Sequence, residues 1–146
     1  MKLPKHFKGF TLIELLVVIG ILAVLLTITL VAINPSRQFS QSNNTQRSSN
    51  VNTILNAINQ YAADNRGALP VGIGTTAATI SSTGVNICSS LVPTYVAALP
   101  FDPLTGSYTD CTTYNTGYTV VKSATNNRVT VAAPSAELSA TISVTR

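Results

Sequence analysis

Few side chains in this 146-residue sequence could do chemistry, and they are widely spaced. The acids are Glu14, Asp64, Asp102, Asp110 and Glu137, and the only cysteines are Cys88 and Cys111. The one histidine, His6, lies with Lys2, Lys5 and Lys8 in a basic leader that ends at Gly9; beyond it there is no histidine and a single lysine, Lys122. A zinc site draws about four ligands from Cys, His and acids, and a nucleophilic triad needs a base. Neither can be filled in the usual way. Two carboxylates can share acid and base work, and Asp102 and Asp110 are the nearest pair. An Asp-Pro turn accounts for Asp102, so the expectation is no catalytic site and no enzyme.

Glu14 is harder to explain away, because it is the only charge between Phe10 and Ile33 in a run otherwise made of Leu, Ile, Val, Ala, Gly20 and threonines. As a helix this run would rise about 36 Å, enough for a hydrocarbon core of about 30 Å. A carboxylate inside a membrane helix costs on the order of 3 kcal/mol by insertion scales, more than the helix dipole returns near the amino terminus, so a partner is expected. The run is too long for a cleaved secretory signal, and Leu30-Val31-Ala32 puts a bulky Leu where a cleavage site wants a small residue. The three lysines flank the run on its amino side, against Arg37 alone close to the other end. The positive-inside rule therefore places the leader in the cytoplasm and exports the chain beyond residue 33.

The small residue lies at the front of the run. Gly9, Phe10, Thr11, Leu12 and Glu14 match without a gap the Gly, Phe-Thr-Leu, Glu pattern of the type IV pilin and type II secretion pseudopilin family, which this chain strongly resembles here. The resemblance implies cleavage between Gly9 and Phe10 by a prepilin peptidase, N-methylation of Phe10, and an assembly role for Glu14. In the family the matching Glu pairs with the new amino terminus of a neighbouring subunit. A second and weaker likeness is Tyr61-Ala62-Ala63-Asp64-Asn65 with Gly67 and Leu69-Pro70, which resembles the end of the first helix in major pseudopilins. Together the two cover about the first 70 residues. The resemblance also implies partners: other pilin-like subunits in a filament, inner-membrane assembly machinery, and membrane lipid before assembly.

These residues need elements to hold them. Asn34-Pro35 interrupts the helical pattern, so the helix either kinks or stops and restarts there. The family's assembly role for a first-helix Pro is not carried over, because Pro35 stands later than the usual position. Residues 36–50 are almost wholly polar, with Phe39 the one large apolar residue, and fit a solvent-bridging helix or a linker. Val51, Ile54, Leu55, Ile58, Tyr61 and Ala62 then form one stripe at helical spacing. That helix should end near Asp64–Gly67, where Gly offers a left-handed cap. Residues 71–90 read as an extended surface loop with a short helical turn near 89–92. Residues 98–103 resemble the Asp-Pro loop that precedes the pseudopilin sheet, with a turn at Thr105-Gly106. Three strands are expected, at 117–122, 128–132 and 140–144, in an antiparallel sheet laid on the stripe.

Export bears on the cysteines. A pair in an oxidising compartment is more often a disulfide than a metal or redox site, two free thiols being the alternative. Pilins often carry such a bridge in the carboxyl-terminal region and many pseudopilins lack one, so Cys88 and Cys111 do not separate the subfamilies. Major pseudopilins also commonly bind calcium through carboxylates and carbonyls. Here Asp102, Asp110 and Glu137 have no EF-hand spacing and read as solvated turn acids, so no metal and no cofactor are expected. The formal charge of +4 belongs largely to the leader; without it six basic side chains face five acidic ones, and nucleic acid is an unlikely partner on charge.

The expected fold is α+β: a leader (1–9), a transmembrane and filament-core helix (10–33), an exported polar then amphipathic helix (34–66), and a head of loop and antiparallel sheet (67–146). The expected function is a structural subunit of a type IV pilus or type II secretion pseudopilus. The alternative is a membrane-anchored extracellular binding protein, an adhesin or DNA receptor, that does not polymerise.

Overall fold

The computed structural model describes residues 9–146. The basic leader residues 2, 5, 6 and 8 lie outside them. The chain forms two units, one ending at Gln38 and one spanning Phe39–Arg146.

The first unit is built on helix α1, Leu12–Ile33. Its composition is apolar on every side, so no face is selected for a core, and none of its residues is buried. By length and hydropathy it is a candidate membrane span. It stops at Asn34, whose left-handed backbone (φ 48°) ends the helix as Asn can and a β-branched residue cannot. Pro35 opens helix α2, Pro35–Asp64, at the position where its missing N–H costs nothing. Asn34 Oδ1 accepts the Ser36 hydroxyl at 2.8 Å. The chain thus stops and restarts here.

In the second unit α2 and the sheet share one core. Residues 36–50 are helical throughout. Val51, Ile54, Leu55 and Ile58 are fully buried, with Ala57 beside them, while Tyr61 and Ala62 at the end of the stripe are half-buried. The helix ends at Asp64, and Gly67 at φ 87° turns its N–H back to Ala62 O at 2.7 Å, the expected cap. Five strands come after it: β1 (Ala78–Ser81), β2 (Ser107–Tyr108), β3 (Tyr114–Lys122), β4 (Val129–Ala133) and β5 (Ile142–Thr145). A short helix, α3, occupies Cys88–Leu91 between β1 and β2. The sheet is antiparallel in the order β1-β3-β4-β5, with β2 also paired to β3. Alternation turns Tyr114, Thr116, Tyr118 and Val120 of β3, and Val129, Val131 and Ala133 of β4, inward. This is the expected α+β fold.

Two expectations need correction. The sheet has five strands where three were expected, and β3 starts at Tyr114. Residues 71–90 are not a surface loop: they contain β1, and Ile73, Ile80, Val85, Ile87 and Cys88 are buried. These apolar residues are single and irregularly spaced among Ser, Thr and Gly, so no period betrays them. β1 exists because β3 offers it a partner about 40 residues away, Ala78 lying opposite Val120.

Candidate functional site

The predicted processing residues Gly9 and Phe10 and the predicted assembly residue Glu14 lie close together at the start of α1. Gly9 and Phe10 precede the helix, and Phe10 is 86% exposed. A Cβ built on Gly9 would touch nothing within 4 Å, so packing does not demand glycine there. Thr11 caps the helix with an extended backbone, its Oγ1 accepting the Glu14 N–H at 3.3 Å. Glu14 answers: its Oε2 accepts the Thr11 N–H at 2.7 Å and the Thr11 hydroxyl at 2.8 Å. This reciprocal capping box satisfies two helix-end donors. Glu14 therefore has a partner within its own chain, which the sequence reading missed although Thr11-x-x-Glu14 is the motif's signature. Further along, Gly20 leaves a shallow notch flanked by Leu16, Val17, Val24 and Leu25.

The candidate cation ligands are arranged differently from expectation. Asp102 is not a solvated turn acid: it is fully buried and faces Arg47, which is also fully buried on α2. Arg47 Nε donates to Asp102 Oδ2 at 2.6 Å, and its Nη1 donates to Glu137 Oε2 at 2.7 Å. Asp102 Oδ1 takes the N–H groups of Leu104 and Thr105 at 2.9 and 3.0 Å. Burial by itself would raise the Asp102 carboxyl, but the Arg47 hydrogen bond, these two N–H groups and the Arg47 charge together lower it to about 2. Glu137 is held low by Arg47 first, then by Asn43 and Ser40. No buried side-chain polar atom is left without a partner among the described residues.

Asp102 and Glu137 thus converge on Arg47, and Asp110 stands apart, exposed in the β2–β3 turn. Among the described residues no three His, Cys, Asp or Glu side chains gather where a metal ion could be held. Arg47 was not singled out in the sequence. The signal was there, since it lies one turn before Val51 on the line of the buried stripe. Gly106 and Gly117 make room for this network: a Cβ on Gly117 would lie 2.9 Å from Asp102 Cβ, and one on Gly106 would lie 2.5 Å from Asp102 N.

Cys88 and Cys111 form a disulfide, with Cα atoms 5.2 Å apart. It fastens the start of α3 to the β2–β3 turn.

An exposed apolar helix opened by a Gly-Phe-Thr-x-x-Glu cap, followed by a disulfide-bonded α+β head, defines a helix-anchored class of small protein. Within it, residues 4–30 match the family described as the Prokaryotic N-terminal methylation motif, the hallmark of type IV pilins and pseudopilins. That motif marks structural proteins rather than enzymes. No curated protein and no solved structure matches the chain.

Proposed function

We propose that this chain is a structural subunit of a pilin-like filament, a type IV pilus or a type II secretion pseudopilus. The leader is removed after Gly9 by a prepilin peptidase, and the Phe10 amine is N-methylated. α1 first holds the protein in the inner membrane with the head exported, and then moves into the filament core.

The observation that carries this reading is the pairing of an exposed apolar helix with a Gly-Phe junction whose glycine the fold does not require. Moving such a helix from lipid into a bundle gains little hydrophobic energy, because lipid tails are as apolar as Leu. Specificity must come from close packing, which the Gly20 notch favours, and from polar contacts. The capping box gives Glu14 a resting partner. In the filament, Glu14 exchanges or shares that partner with the Phe10 amine of a neighbouring copy.

Mass spectrometry of protein isolated from membranes and from sheared filaments tests this. The expected amino terminus is N-methylated Phe10 in both fractions. An amino terminus after Ala32, which would release the head from its apolar helix, would sink the filament reading, and normal surface presentation of the head with no filaments would favour the anchored-receptor reading instead.

A further inference from the structure

The head carries opposite charge at the two ends of β3. At the Lys122 end, the turn after α2 and the ends of the strands enclose an open groove of about 530 Å³. Its polar lining consists of Lys122, Arg146, Asn59 and Asn127 together with the backbone of residues 67–73, and no acidic residue lines it. Arg146 is fixed in place: it exchanges backbone hydrogen bonds with Val129 at 3.0 and 2.7 Å, and its guanidinium donates to Asn56 at 2.6 Å. Among the described residues the only salt bridges are those of Arg47, so neither Lys122 nor Arg146 is neutralised by a side chain of its own copy.

At the Tyr114 end, the β2–β3 turn displays Asp110. Its Oδ1 accepts the Thr112 N–H and hydroxyl, both at 2.7 Å, and the Thr113 N–H at 2.8 Å. These bonds set the carboxylate rigidly at the tip, and the disulfide at Cys111 anchors the turn beneath it. Oδ2 has no partner among the described residues. The other head acids are placed elsewhere: Asp102 and Glu137 share Arg47, and Asp64, at the end of α2, faces Tyr95 and does not line the groove. At about 3.3 Å per residue, β3 separates Asp110 from Lys122 by more than roughly 25 Å, so the tip cannot reach the groove of its own copy.

We propose that the groove receives the Asp110 tip of a second copy of this chain, an Asp110–Lys122 contact repeated head to tail. A contact between two different patches that does not close into a ring propagates as a filament. The inference rests on the filament reading above and adds which surfaces of the head meet.

The chemistry permits a direct test on filaments from cells making the full chain. A carbodiimide condenses a carboxylate with an amine to an amide, taking up the released water as a urea. Lys122 is the only lysine beyond the leader, so a linked peptide is assigned without ambiguity. The expected product is a covalent dimer whose linked peptide joins Asp110 to Lys122. Asp110→Asn, which keeps the turn's acceptor oxygen, and Lys122→Glu should each lower filament yield about tenfold or more, as loss of one charge of an interfacial pair does. Asp110→Lys combined with Lys122→Glu should restore it. Wild-type filaments without the Asp110–Lys122 link, or single variants with normal yield, overturn the docking and leave the filament reading standing. Loss in Lys122→Glu that the charge swap does not restore assigns the groove to a different anionic partner and also overturns it. A wild type that is cleaved at Phe10 but makes no filaments overturns both.

Discussion

Arg47→Met is the perturbation that most directly probes what holds the head together. It removes the one cation facing Asp102 in a site where both side chains are fully buried, and leaves the carboxylate with only the Leu104 and Thr105 N–H groups. Breaking a buried pair from one side costs about 3–5 kcal/mol. A domain of this size has a total stability of about 5–15 kcal/mol, so the midpoint should fall by more than about 10 °C. All five tyrosines lie in the second unit, Phe39–Arg146, and there is no Trp, so tyrosine fluorescence in detergent micelles reports that unit's unfolding without interference from α1. The pH dependence gives an independent magnitude. The folded Asp102 carboxyl titrates at about 2 against 3.8 for the ordinary group. A depressed carboxylate contributes stability above its unfolded pKa that is lost as pH falls through the folded one, here about 2.5 kcal/mol between roughly pH 4 and pH 2. Asp102→Asn should flatten that acid limb. Arg47→Met with Asp102→Leu should recover much of the loss, because an apolar pair leaves no charge stranded. A melting temperature for Arg47→Met within about 2 °C of the wild type, equivalent to less than about 1 kcal/mol, would refute the reasoning.

Three further outcomes are expected. Glu14→Val should insert and be cleaved normally yet remain monomeric in the membrane; normal filaments from that variant would defeat the pairing mechanism. Cys88 and Cys111 should resist alkylation until reduced, and Cys88→Ser with Cys111→Ser should lower head stability by about 3 kcal/mol in the chain-entropy model, read from the same fluorescence melts. Gly117→Ala should cost more than about 1 kcal/mol, because residue 117 has φ 74° and the new methyl would crowd Asp102 Cβ and Thr105 Oγ1; an unchanged melt would mean that the β3 backbone can relax there.

What the sequence determined on its own is what depends on neighbours along the chain. Gly9 to Glu14, the apolar run to Ile33, the break at Asn34-Pro35 and the stripe from Val51 to Ala62 are local patterns. Hydrogen bonding along one helix and the apolarity of one face decide them, so reading the residues in order is enough. The Thr11–Glu14 box belongs to the same group, its two residues being only one turn apart. The tertiary structure alone decided the pairings between distant residues. Asp102 and Glu137 lie 55 and 90 residues from Arg47, and no spacing rule links them. Asp102 looked like a turn acid because its Asp-Pro context explains a turn equally well with or without a buried cation beside it. β1 became a strand only because β3 passes next to it, and the charge difference between the Asp110 tip and the Lys122 groove exists only once β3 holds them at its opposite ends. A buried charge or an edge strand is stabilised by what the fold brings to it, and that is set by how the chain closes on itself rather than by the residues on either side.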